Sequence, residues 1–157
     1  MKRRKMAVSS LDKPIEDLAI GVDHRILAIW AADCAERALP LFEELRPGDP
    51  RPRRAIEALR EWVRSGVFRM ADVRRTALDA HAAARDVQGN DAARSAARAA
   101  GQAMATAHVP SHALAAAIYA ATAFRDAAAT GNEEGATMRE RKWQFRHLLE
   151  MIGASES

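Results

Sequence analysis

The chain has 157 residues, of which 48% are hydrophobic but only 5% aromatic, with 24 Lys and Arg against 21 Asp and Glu. That length suits one domain with a core of its own, built largely from close contacts between small side chains. A single cysteine, Cys34, excludes an intrachain disulfide, no segment has the uncharged apolar length that spans a bilayer, and the net charge of +3 stems from Lys2, Arg3, Arg4 and Lys5, which leaves a near-neutral body that argues against a duplex-wide phosphate surface.

Residues 1–11 read as a basic, disordered tail, because no anchoring apolar run follows the cations. For the same reason the start does not read as a secretory leader, and the chain is expected to be cytoplasmic. Residues 12–153 read as one all-helical domain.

A short helical turn is predicted over residues 11–20, with Asp12 as cap and Pro14 in its first turn. The first long helix is predicted over 23–39. Asp23 is its N-cap, and Ile26, Ile29, Trp30 and Cys34 share a stripe at i, i+3, i+4 and i+8. Pro40 removes a backbone donor and restarts the helix, which continues to the Pro47-Gly48 turn. A second helix is predicted over 50–65, with Ile56, Leu59 and Val63 inward and Gly66 as its stop. A third covers 70–87, with Val73, Ala77, His81 and Ala84 near one face. A fourth, almost all Ala, Arg and Ser, covers 91–108. A fifth runs from the Pro110-Ser111 break to about 129, with Leu114, Ile118 and Ala121 as its stripe. The last is predicted over 133–152, with Met138, Phe145, Leu148, Leu149 and Ile152 inward.

No segment alternates with period two, so no sheet is predicted. The expected fold is all-α, about six helices in antiparallel pairs. It forms either a stacked, helical-repeat-like array or a compact bundle.

Charge is segregated along the chain. Residues 12–49 carry a net −5 and residues 51–75 a net +5. Two readings follow. The layers can neutralise each other through ion pairs between helices. Alternatively, a charged face meets an oppositely charged protein. The residues nominated for such contact are Asp33, Glu36, Glu43 and Glu44 on the acidic layer, and Arg51, Arg53 and Arg54 on the basic one.

His24, Arg25, His81 and Arg85 read as structural polar residues. Asp33 borders the buried stripe; it can pair with Arg37 at i+4, or accept from His24, Arg25 or a base of the second helix. His81 reads as a packed, hydrogen-bonded histidine among alanines. His108 and His112 sit four apart, the spacing of a metal-binding helix face, but Pro110 interrupts that face and no acid lies between them. A small-molecule or metal site, with or without catalysis, centred on His81, His108 and His112 is the alternative reading. Cys34 on the apolar stripe reads as an inert thiol. Trp62, next to Val63, reads as core. No phosphate loop, nucleophile elbow or cofactor motif is present in the sequence.

Four segments resemble a known family. They are His24-Arg25-x-Leu27-Ala28-x-Trp30-Ala31-Ala32-Asp33-Cys34-Ala35-Glu36-Arg37, Asp49-x-Arg51-Pro52-Arg53-x-Ala55-Ile56-Glu57-Ala58, Ala80-His81-Ala82-Ala83-Ala84-Arg85 and Thr106-Ala107-His108-Val109-x-x-His112-Ala113. Together they are similar to bacterial immunity proteins associated with polymorphic toxin systems. The resemblance implies an all-helical, non-enzymatic protein without a cofactor, which binds and neutralises a cognate protein toxin in the cytosol. Nucleic acid and membrane are not expected partners, and the oligomeric state stays open.

Overall fold

A computed structural model describes residues 5–156. The helices are α1 (Asp12–Ala19), α2 (His24–Ala38), the single turn α3 (Pro40–Glu43), α4 (Arg51–Ser65), α5 (Met70–Asp86), α6 (Asp91–Ala105), α7 (His112–Ala127) and α8 (Glu133–Glu156). No strand occurs among the described residues, so the all-α expectation holds. Helices α4 to α8 each pack on the next one in the chain. Helix α2 touches α4, α6, α7 and α8, which closes the array into a compact body around α2 and α6.

Local chemistry sets most boundaries. The Asp23 carboxylate accepts from the backbone N–H of Arg25 and Ile26, satisfying orphan donors at the start of α2. Asn90 accepts from Ala93 N–H and opens α6 in the same way. Gly66, at φ 72°, ends α4 in the left-handed region that glycine enters without steric cost. Helix α1 departs from expectation: Asp12 does not cap it, because its carboxylate is drawn to Ser9 and to Arg141 of α8. Residues 1–4 of the expected tail lie outside the described residues. Within the rest of it, Ala7 is 3% exposed and donates its N–H to Thr122 Oγ1 at 3.0 Å.

The core is made chiefly of alanine. On α6, Ala93, Ala96, Ala97, Ala99, Ala100 and Ala103 are fully buried, and α7 meets them with Ala113, Ala116, Ala117, Ala120 and Ala123. This corrects the stripe expected on α7: Leu114 and Ile118 are only partly buried, because the close α6–α7 contact admits single-carbon side chains. Large buried groups are few, so Trp30, Phe42, Ile15, Leu39, Leu59 and Leu148 carry much of the apolar burial, each worth about 1.5–3 kcal/mol or more.

Helix α8 shows the largest departure. Its inward face is polar: Thr137, Glu140, Arg141 and Gln144 are buried along with Leu148, whereas Leu149 is exposed. Gln144 Nε2 donates to the Ala117 carbonyl and its Oε1 accepts from Arg141, both at 2.8 Å. The Gln144 carbonyl accepts from Trp30 Nε1 at 2.9 Å. A hydrogen-bonded ladder, rather than a leucine stripe, therefore docks α8 on α2 and α7.

Candidate functional site

The polar groups of α2, α4 and α8 converge on Asp33. Arg60 of α4 donates to Asp33 Oδ1 at 2.8 Å, and His147 of α8 donates through Nε2 to Oδ2 at 2.7 Å. Arg60 also pairs with Glu36. Arg37, one turn after Asp33, does not take the expected i, i+4 pair; it turns instead to Glu140, its Nε 2.9 and 2.8 Å from the two carboxylate oxygens. Its guanidinium also covers the Trp143 ring at 4.0 Å, and Trp143 stacks on His147 with centroids 4.7 Å apart. These hydrogen bonds raise the Arg37 and Arg60 pKa values; for Arg60 they outweigh a larger opposing effect of burial.

Most residues nominated for partner contact are engaged within the molecule. Glu43 holds Arg53 through two hydrogen bonds of 2.6 and 2.7 Å. Arg51 bridges Asp49 and Asp86. The two charged layers thus neutralise each other along the α2–α4 and α3–α4 contacts. Glu44 and Arg54 are exposed and form no ion pair among the described residues.

A second feature lies at the α4–α5 corner. An open groove of about 400 Å³ runs between the two helices, with Met104 of α6 at its base and Trp62, Val67 and Val73 on its walls. Glu61, Arg69 and Asp72 supply its polar lining. Val67 is 61% exposed and Phe68 40%. Trp62 is half-buried rather than core, and the His24 ring lies against it with centroids 4.8 Å apart. His24 is fixed by donating from Nε2 to the Thr106 carbonyl at 2.5 Å. A guanidinium nitrogen of Arg25 lies 3.0 Å from where a β-carbon on Gly66 would sit, so Arg25 reaches the end of α4.

The other histidines do not assemble into a ligand set. His108 stacks on Phe68 at 6.1 Å, and His112 donates from Nδ1 to Gln102 Oε1 at 2.8 Å. His81 packs against Gly101 of α6. The hydrogen bond expected for it is missing at Nδ1, which is buried without a partner among the described residues. Burial, with help from Arg98, Arg85 and His112, pushes the His81 pKa down to about 4. No group of three or more His, Cys, Asp or Glu that could hold a metal ion occurs among the described residues. Cys34 is fully buried, and burial, reinforced by the Glu140 and Asp33 carboxylates, raises its pKa well above 9.0. A thiol held protonated in this way is a poor nucleophile.

Sequence reasoning missed Trp143, His147 and Glu140. All lie on α8, where the apolar residues alone guided the reading; of these Leu148 is fully buried and Phe145 and Ile152 pack against the core, whereas Leu149 is exposed. The Arg139-to-Arg146 clustering of cations around Trp143 was the available signal.

Fold and site together define an all-helical protein in which ion pairs between charged side chains help to hold α2, α4 and α8 to one another. In the described residues no helix is long and apolar enough to cross a membrane. A family model described as Imm-5 like putative immunity protein matches residues 19–151, and the chain belongs to that family. No curated protein and no solved structure matches it.

Proposed function

We propose that the protein acts by contact, binding a cognate protein toxin in the cytosol and neutralising it without chemistry of its own. The α4–α5 groove carries this reading. Exposed Val67 and half-buried Trp62 line the groove with Arg69, and exposed Phe68 lies between Val67 and Arg69 in the chain. A Trp with flanking Arg and exposed apolar side chains is the composition that concentrates binding energy at protein interfaces. Arg54, one turn before Ala58 on the same α4 face, extends this surface. The five internally paired charges then serve to fix the helices behind the groove. Glu44 and Arg54 remain the members of the nominated set available to a partner.

The test is direct. The genes flanking this one are first sequenced for a toxin; its toxin domain is then purified and titrated against the protein by calorimetry, and the two are co-expressed in a toxin-sensitive strain. The expected result is a stable complex and rescued growth. Rescue without complex formation, or neither effect, rejects the reading.

A further inference from the structure

Helix α8 presents an outer face that the fold does not use. Arg139, Lys142 and Arg146 recur there at i, i+3 and i+7, a run of about 10 Å. All three are exposed, and none forms an ion pair among the described residues. With Trp143, His147 and Glu150 they line an open groove of about 270 Å³. The contrast with the rest of the molecule is sharp, since the arginines of α4 and α2 nearest this face are tied to carboxylates. Arg60 holds Asp33 and Glu36, and Arg37 holds Glu140. Those carboxylates, Asp33 and Glu36 on α2 and Glu140 on α8 itself, are therefore already engaged. Glu150 is the one acid in the groove lining. Like charges at i, i+3 and i, i+4 weaken a helix, so the cluster lowers helix stability and gains nothing in return within the chain.

We propose that this face binds an acidic protein segment, a helix or strand whose carboxylates meet Arg139, Lys142 and Arg146 in sequence. The floor is pre-organised for such contact. Trp143 is clamped by Arg37 and His147, which Glu140 and Asp33 anchor in turn, so little side-chain freedom is left to lose on binding. The same clamp argues against nucleic acid. Single strands need open aromatic rings on which bases stack, and the Trp143 ring already carries a guanidinium and an imidazole. Three cations over one helix face also fall short of a duplex footprint. This inference stands independently of the toxin reading.

The test uses the full chain and three probes: a Glu-rich helical peptide, the same peptide with Gln in place of Glu, and an oligothymidylate of equal charge. Calorimetry and the Trp143 indole N–H resonance report binding. The Glu peptide is expected to bind, to weaken as salt is raised, and to shift the Trp143 resonance. The combined Arg139→Gln, Lys142→Gln and Arg146→Gln variant, which changes exposed side chains only and is checked for an unchanged melting curve, is expected to bind roughly tenfold more weakly. Combined reversal to Glu should abolish binding. Equal binding by the Gln variant would assign the attraction to the basic residues near the N-terminus and overturn the proposal. Failure of the Glu peptide to bind overturns it as well, as does tighter binding of the oligothymidylate.

Discussion

Glu140 and Arg37 meet where α8 crosses α2, with the carboxylate 4% exposed and the guanidinium 41% exposed. The pair is asymmetric: solvent supports the arginine, but among the described residues only Arg37 pairs with the buried carboxylate. Arg37→Ala should therefore destabilise the protein far more than loss of a surface pair, by roughly 2–3 kcal/mol, at or below the low end for breaking a buried pair because Arg37 is half in water. Combining it with Glu140→Gln should recover part of the loss. Urea denaturation of the two single variants and the double variant measures this coupling.

Gln144 sits at the centre of the α8 ladder and is fully buried. Gln144→Leu keeps the volume but removes a donor from the Ala117 carbonyl and an acceptor from Arg141. A loss of about 1–3 kcal/mol is expected, since Arg141 keeps Asp12 but loses its buried acceptor at Nη1, and the Ala117 carbonyl, inside α7, loses its side-chain donor. Substituting the exposed Leu149 by Gln should change stability by no more than about 0.5 kcal/mol. If the two substitutions have equal effects, the leucine stripe read from the sequence is the true inner face.

That reversal shows what the sequence discloses and what it conceals. Asp23, Gly66 and Pro40 act locally, Asp23 through its carboxylate on the N–H groups of Arg25 and Ile26 and the other two through their own backbones, so the boundaries they set could be read without tertiary knowledge. The neutralising charge layers were legible as a −5 and +5 split, although the partners were not. Asp33 was expected to use Arg37, His24, Arg25 or a base of the second helix; it took such a base, Arg60, together with His147 of the last helix, which lay outside that expectation. On α8, Phe145 and Leu149 suggested an apolar inner face; Phe145 packs against the core but Leu149 is exposed, and the polar part of the buried face is held by hydrogen bonds to partners on α7 and α2. Such partners are remote in sequence, so helical periodicity carries no trace of them. The α4–α5 groove was hidden for a similar reason: Trp62 adjoins a core residue, and its half-exposure depends on how α5 departs from α4.

Val67 and Phe68 separate binding from folding. Both are exposed in the connection between α4 and α5, so Val67→Asp and Phe68→Asp should each change stability by less than about 0.5 kcal/mol. Each should weaken toxin binding by about 1–2 kcal/mol, a tenfold effect or more in Kd. Charge reversal at Arg54 should weaken it and flatten its salt dependence. Reversal at Arg53 would also set two carboxylates against each other at Glu43, so its effect is expected in the melting temperature as well as in the affinity. Titration calorimetry at two salt concentrations distinguishes these cases.

Gly101 and His81 set the spacing of α5 and α6. A β-carbon at Gly101 would lie 2.8 Å from both Cε1 and Nε2 of the imidazole, closer than such contacts occur. Gly101→Ala should cost about 1–3 kcal/mol through overpacking, despite the higher helix propensity of alanine. The conflict is with one ring, so His81→Ala should remove it. In that background the Gly101→Ala penalty is expected to vanish or change sign, which a double-mutant cycle detects.

His81 also makes stability depend on pH. Burial first, and then the nearby Arg98, Arg85 and His112, lower its pKa from 6.5 to about 4. The unfolded chain consequently binds a proton on this side chain more readily than the folded protein throughout that interval. The stability tied to the neutral ring is present in full above pH 6.5 and is lost progressively as pH falls toward 4. His81→Gln removes the titrating group, so its unfolding free energy should decline less steeply between pH 7 and pH 4 than that of the parent. Urea titrations at several pH values across the window measure the difference. Parallel slopes for the two proteins would show that His81 is not the source of the acid sensitivity.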